Sequence, residues 1–389
     1  MASSNRLPSL TSIHSELLEE IFCRTGAEDL IGSKTVCKQW NSLIKALTTG
    51  TNKKIIYKHL DHSSSDSSSK RFLRTVGDKV RIIDPVTKVR STSSLPNEFQ
   101  EPNEVNAILH CDGLVLCTRG HQSQMNQPRG RPEIAMWNPL LKKVKWINPS
   151  QVFSYSSVYG IGYKSREEGY MILRFSNSCF KILESEKQVE VYEFENASWR
   201  TLANVTADVL VDSSCKGVAV MGNMYWRAQK NRILGFDFTA EAFKDVCSCP
   251  PLSFGERCYL SCFREDTLSL LLQAGESKNI EVWLSNNLAD ESVSFTRYFS
   301  VASPALPALK RDPFMPHPVY CSVNPRSIFA LCERDEGVGV KFAAYGILYE
   351  IDEGGLRNQT ETETERVYGR TWPPVFCGQV YVPSFVPLP

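Results

Sequence analysis

Apolar residues between Ile13 and Leu47 fall into two stripes at helical spacing. Ile13, Leu17, Leu18, Ile21 and Phe22 form the first, and Val36, Trp40, Leu43, Ile44 and Leu47 form the second. The spacing predicts two amphipathic helices. Ser12 is placed to cap the first helix, because its hydroxyl can accept from a first-turn amide. Gly26 is placed to end it in the left-handed conformation. Leu30 and Ile31 read as a short bridge, and Lys34, Lys38 and Lys45 mark the solvated side of the second helix. So few residues bury too little apolar surface to be stable alone. The stripes therefore need cover, either from the rest of the chain or from a partner.

The pattern then changes. The run HLDHSSSDSSSK, with serines from Ser63 to Ser69, is low in complexity and reads as a flexible boundary. Beyond Arg71 the apolar period shortens to that of strands. Leu109 to Cys117 and Val218 to Trp226 read as hairpins, turning at Asp112-Gly113 and at Gly222-Asn223. A longer unit recurs in IAMWNPLLKKVKWI, VEVYEFENASWRTL, ILGFDFTAEAFKDV and IEVWLSNNLADESVSFTRYF. Each places an aromatic residue before a polar turn and a second strand. The units begin roughly 45 to 57 residues apart, the spacing of blades in a β-propeller. A β-sandwich with long connections is the alternative.

Composition narrows the setting. The chain has 389 residues, 42% hydrophobic and 22% charged, with a formal net charge of +1. That balance supplies no overall field to recruit nucleic acid or an anionic membrane. No apolar run approaches membrane-spanning length. The segment MASSNRLPSLTS lacks the apolar centre of a secretory signal. Thirteen scattered cysteines with apolar neighbours favour reduced, buried thiols, and with them the cytoplasm or nucleus.

Candidate chemistry is sparse. Cys247, Cys249, Cys258 and Cys262 lie within sixteen residues, but without the paired C-x-x-C spacing of a zinc site. Burial is the expectation for them, and neither a metal nor a cofactor is expected. Gly26 to Thr35 resembles a phosphate loop only loosely, with Glu28 and Asp29 set to repel an anion. The six histidines are dispersed, and no nucleophile elbow, H-E-x-x-H pair or dinucleotide fingerprint occurs. Lys142 and Lys143 beside Trp146 read as strand structure, not a nucleic-acid patch. No catalytic residue is expected. The insert from Gly120 to Glu133 is either a projecting binding loop or slack.

Two resemblances give these elements a context. ELLEEIFCR (Glu16 to Arg24), Leu30 and VCKQWNSLI (Val36 to Ile44) resemble the F-box, the helical module that binds the Skp-family adaptor of cullin-based ubiquitin ligases. The chain departs from that pattern at Ile13-His14, where the family has Leu-Pro, and at Gly26, where it often has Pro. The resemblance implies that Leu17, Leu18, Ile21, Phe22, Leu30, Val36, Cys37 and Trp40 lie in or directly beneath the adaptor interface, with Trp40 as anchor. CDGLVLC, MWNPLLKKVKW, YGIGY, GVAVMGNMYW, ILGFDF, IEVWL and YVPSFVP resemble, in order, the plant F-box-associated domain, a kelch-like β-propeller relative. The expected fold is a small all-α N-terminal F-box module plus a large all-β domain, an irregular kelch-like β-propeller. Residues 1–50 are read as the F-box, 51–71 as a linker, and 72–389 as the substrate-recognition domain. The resemblance implies a non-catalytic substrate receptor of a Skp-cullin-F-box ligase, holding a protein target whose identity it does not give. A scaffold that binds the adaptor outside any ligase is the alternative.

Overall fold

The computed structural model describes residues 15–49, 69–76, 79–94, 105–119, 133–150, 157–176, 188–206, 210–211, 216–253, 255–264, 266–310, 317–338, 341–362, 365–368 and 377–389. Ser12, Ile13, His14, the serine run up to Ser68 and the insert as far as Pro132 lie outside them.

The head has three helices, not two: α1 (Ser15–Arg24), α2 (Ala27–Ser33) and α3 (Lys38–Thr49). The expected bridge at Leu30 and Ile31 is itself helical. Gly26 does not adopt the left-handed conformation. At φ −56 and ψ 147 it is extended and begins α2, its carbonyl accepting from Leu30 N at 3.0 Å. Thr25 closes α1 instead. Its amide and hydroxyl donate to the carbonyls of Phe22 and Ile21, at 3.3 and 2.8 Å, satisfying orphan acceptors of the last turn. Cys37 starts α3, where its sulfur accepts from Trp40 N at 3.4 Å, as an N-cap side chain does.

The body is a ring of six antiparallel sheets. The first contains β1 (Arg71–Val76), β2 (Lys79–Ile83) and β3 (Arg90–Ser94). The second is β4 (Val105–Cys111), β5 (Leu114–Arg119), β6 (Glu133–Asn138) and β7 (Lys143–Ile147). The third is β8 (Ser157–Tyr163), β9 (Tyr170–Ser176), β10 (Gln188–Glu193) and β11 (Ser198–Thr206). The fourth is β12 (Val218–Val220), β13 (Asn223–Ala228), β14 (Arg232–Asp237) and β15 (Ala242–Ser248). The fifth is β16 (Arg257–Arg264), β17 (Thr267–Gln273), β18 (Ile280–Ser285) and β19 (Phe295–Val301). The sixth is β20 (Val319–Cys321), β21 (Ser327–Val338), β22 (Lys341–Asp352) and β23 (Gly355–Glu361), with β24 (Glu365–Tyr368) also paired to β22. Finally β25 (Cys377–Tyr381) pairs with β1 and completes the first sheet.

The first strands β25, β4, β8, β12, β16 and β20 touch neighbour to neighbour around a closed circle. That circle makes the body a six-bladed β-propeller and excludes the sandwich. A buried ion pair crosses the seam between the first and sixth blades. Arg74 of β1 meets Glu333 of β21 at 2.6 Å.

Four sequence repeats correspond to the third and fourth strands of blades two to five. In two of them, and in the first blade, the turn has a common chemistry. Asp84, Asn138 and Asp237 each accept turn amides at Oδ1, and Lys88, Lys142 and Glu241, four residues on, carry positive φ. The β4–β5 turn at Asp112-Gly113 stands where expected, with φ of 52 and 82. The β12–β13 turn is one residue earlier than expected, at Met221-Gly222, because Val220 pairs with Asn223. Gly222 is needed there: a Cβ would come 2.5 Å from the Tyr163 ring. Asn223 instead accepts from Phe238 N at 3.0 Å.

Candidate functional site

The apolar residues of the head divide into two sets. Leu18, Phe22 and Leu30 are 1%, 2% and 2% exposed, and join Ala27 and Ile44 in a small core. Trp40 is half-buried and meets Phe22 edge-on at 5.1 Å. Leu17, Ile21 and Val36 stay outside that core, 57%, 50% and 57% exposed. Leu17 and Ile21 are one helical turn apart on α1, so they share a face.

The core of the head is not self-contained. Phe385, from the segment after β25, is buried within it, and Leu140 and Leu141 of the β6–β7 turn pack against it. Lys34 of the α2–α3 connection lies 5.8 Å from the centre of the Phe385 ring. Its ammonium pKa is lowered, first by burial and then by Lys45. Glu28 of α2 pairs with Arg71 at 3.0 Å, and Arg71 also reaches Asp84 at 3.5 Å.

Residues 382–389 act as a strap across the second blade. Asn138 Nδ2 donates to the carbonyls of Ser384 and Val386, while its Oδ1 accepts from Leu141 N. Ser384 Oγ donates to the Asp112 carbonyl at 2.6 Å. A Cβ on Gly113 would come 2.0 Å from that hydroxyl oxygen, so the bare turn is what lets the strap pass. Lys145 Nζ holds Pro389 O at 2.6 Å. The head therefore sits on the face where first strands end, beside blades one and two.

The F-box domain family matches residues 10–50, and the family of F-box associated beta propeller domains matches residues 64–388. The chain belongs to the F-box proteins with an F-box-associated β-propeller. F-box only protein 15 of Arabidopsis thaliana is 41% identical over 400 residues, covering all of both chains. A second Arabidopsis F-box protein is 40% identical over 396 residues, again covering both in full. F-box/WD-40 repeat-containing protein 1 of the same plant is 36% identical, over 96% of this chain and 88% of its own. Among solved structures, a Niastella koreensis GH74 enzyme matches 77% of this chain and 44% of its own at TM-score 0.40 and 11% identity, too loosely to bear on function.

Within this F-box the eight residues singled out in the sequence occupy three environments. Leu17, Ile21 and Val36 are exposed; Cys37 and Trp40 are intermediate; Leu18, Phe22 and Leu30 are interior. Sequence reasoning missed Asn138, Leu140, Leu141 and Phe385, which join the F-box to the propeller. Their signal was a pair of adjacent leucines in a turn where the first and fourth blades have Val86-Thr87 and Thr239-Ala240, and an apolar pair, Phe385-Val386, beyond the last strand.

The cysteine cluster has no such role. Cys247, Cys249 and Cys258 are buried with Leu268 and Leu270. Burial pushes the thiols of Cys247 and Cys249 up to about 11 and about 12, keeping them protonated. Among the described residues, no group of three or more His, Cys, Asp or Glu is arranged to hold a metal ion. No helix among them is long and apolar enough to cross a membrane.

Proposed function

We propose that this F-box protein is the substrate-recognition subunit of a cullin-based ubiquitin ligase, its F-box docking on a Skp-family adaptor and its propeller, of the kelch-like kind, holding a protein target. The observation that carries this reading is the division of the F-box apolar residues. Leu18, Phe22 and Leu30 are used internally, whereas Leu17, Ile21 and Val36 face outward, uncovered by the described residues. Leu17 and Ile21 share one face of α1, and exposed apolar side chains grouped on a face mark a partner site. Leu17, Ile21 and Val36 are then the direct adaptor contacts, Cys37 and Trp40 their flank, and the interior three their support.

The mechanism is proximity. Residues 1–50 dock, 72–389 recruit and 51–71 join the two, so a target is held near the transferring enzyme at high effective concentration. No side chain of this chain is assigned a covalent step, and the setting is the cytoplasm or nucleus. The test is co-purification of the full chain with the Skp-family adaptor and cullin. Wild type is expected to bring down both, and the double variant Leu17→Ala/Ile21→Ala neither. Unchanged binding by the double variant would sink the docking assignment. Adaptor without cullin would favour a scaffold outside the ligase.

A further inference from the structure

Two exposed valines of the propeller stand beside the F-box. Outside the F-box, four large apolar side chains among the described residues are exposed. Trp146 and Met221 stand singly, which is ordinary for a protein surface. Val86 and Val89, 47% and 66% exposed, share one turn, the connection between β2 and β3.

Two observations place that turn on the F-box face of the ring. The β2–β3 turn joins the third and fourth strands of the first blade, as the β6–β7 turn does in the second, so both lie on one face. The β6–β7 turn is the one whose Leu140 and Leu141 pack against the F-box core. The β2–β3 turn is also tied to the F-box by a chain of contacts. Val86 N donates to Asp84 Oδ1 at 2.8 Å, Asp84 Oδ2 lies 3.5 Å from the Arg71 guanidinium, and Arg71 lies 3.0 Å from Glu28 of α2. The F-box therefore straddles the two turns.

The turns match residue for residue, each closing on a lysine of positive φ, Lys88 in one and Lys142 in the other. Val86 thus holds the place of Leu140. Leu140 is partly buried against the F-box, whereas Val86 is open. The first-blade turn is also held in place before anything binds. Asp84 N donates to Val89 O at 3.0 Å, Lys88 pairs with Glu350 at 3.9 Å, and Arg90 donates to the Glu361 carbonyl at 2.6 Å. A surface already ordered loses little entropy on docking.

This pair lies close to the face assigned to the adaptor. Ile21 stands in the last turn of α1, and only Thr25 and Gly26 separate α1 from α2, whose second residue is Glu28. The exposed apolar face of α1 therefore ends near the corner where the F-box meets the first blade.

We propose that the β2–β3 turn is a second contact for the Skp-family adaptor, with Val86 and Val89 extending the footprint of Leu17, Ile21 and Val36 from the F-box onto the propeller. The assignment rests on the adaptor-docking reading. A partner that touches both parts also fixes the direction in which the propeller points from the ligase.

The test titrates the full chain with purified adaptor. Val86→Ala/Val89→Ala is expected to weaken binding roughly tenfold, the effect of trimming two half-exposed valines that become buried, with an unchanged thermal melt. A photo-crosslinking benzoylphenylalanine at position 86 is expected to join to the adaptor. The same group at Thr239, the equivalent place in the fourth blade across the ring, is expected not to. Failure of the wild type to bind overturns the docking reading and the second contact together. Wild-type binding that is lost in Leu17→Ala/Ile21→Ala but undiminished in the valine variant overturns the second contact alone. So does a bound adaptor that gives no crosslink from position 86, or a crosslink from position 86 to another copy of this chain.

Discussion

The side-chain amide of Asn138 donates to the carbonyl oxygen of Val386 at 2.8 Å. The same nitrogen reaches the carbonyl of Ser384 at 3.1 Å, so one buried residue of the second blade grips the chain on both sides of Phe385. Asp84 and Asp237 make the equivalent turns without this grip, because a carboxylate has no N–H to offer. Asn138→Asp is therefore expected to keep the turn and lose the strap. Two donors vanish and a charge is set against two carbonyls, at a cost of about 3 kcal/mol or more. Amide exchange of residues 382–389 should accelerate while that of β6 does not.

Phe385→Ala should act on the F-box and spare the propeller. Truncating a buried phenylalanine costs about 3–5 kcal/mol, and the small core around Phe22 and Ile44 has little to set against it. Calorimetry is expected to show a separate transition at lower temperature, with adaptor binding lost above it. A single unchanged transition would mean the F-box core stands without the strap.

Neighbouring leucines on α1 should give opposite phenotypes. Leu18→Ala removes an interior side chain and is expected to cost roughly 2–5 kcal/mol. Leu17→Ala removes an exposed one and should leave the melt within about 0.5 kcal/mol of wild type, while weakening adaptor capture. Paired urea melts and pull-downs separate the two.

At the ring seam, Glu333→Gln leaves Arg74 buried beside a neutral partner. Breaking one side of a buried pair costs about 3–5 kcal/mol. Replacing both, as Arg74→Met with Glu333→Leu, should cost much less. Denaturant midpoints of Glu333→Gln, Arg74→Met and the double variant decide this, and a double loss equal to the sum of the single losses would show that the pair is not coupled.

Burial pushes His110 down to about 4. Its folded pKa thus lies below the ordinary 6.5 of an unfolded histidine, so the native state favours the neutral ring. Stability from this source is complete above about pH 6.5 and declines as pH falls toward 4. At about pH 5 the loss is on the order of 2 kcal/mol. His110→Gln keeps an acceptor for Gly113 and Val382. It should flatten the difference between urea midpoints at about pH 7.5 and pH 5, relative to wild type.

The sequence showed the propeller through local chemistry. Hairpins of blades two to five were legible because an aromatic precedes a polar turn in each. The first blade repeats the turn at Asp84 but has Ile82 and Ile83 in place of the aromatic, and so escaped notice. Closure by β25 was hidden for a different reason: pairing Phe72 with Val380 depends on the whole ring, not on nearby residues. The third helix of the head was missed because seven residues hold too few apolar positions to show a period. The division of the F-box apolar residues was unreadable because Leu17 and Leu18 are chemically identical and only the placement of α2, α3 and Phe385 against α1 distinguishes them.

Ring closure by β25 also sets an order of events during synthesis. The F-box leaves the ribosome first and β25 more than 300 residues later, followed by the strap that completes the F-box core. Until then β1 has a bare edge and α1 lacks Phe385. A chain halted before β25 would present neither a closed ring nor a finished F-box core. Translation to the strap is thus a condition for a complete head: the core around Phe22 and Ile44 is finished only after the propeller is.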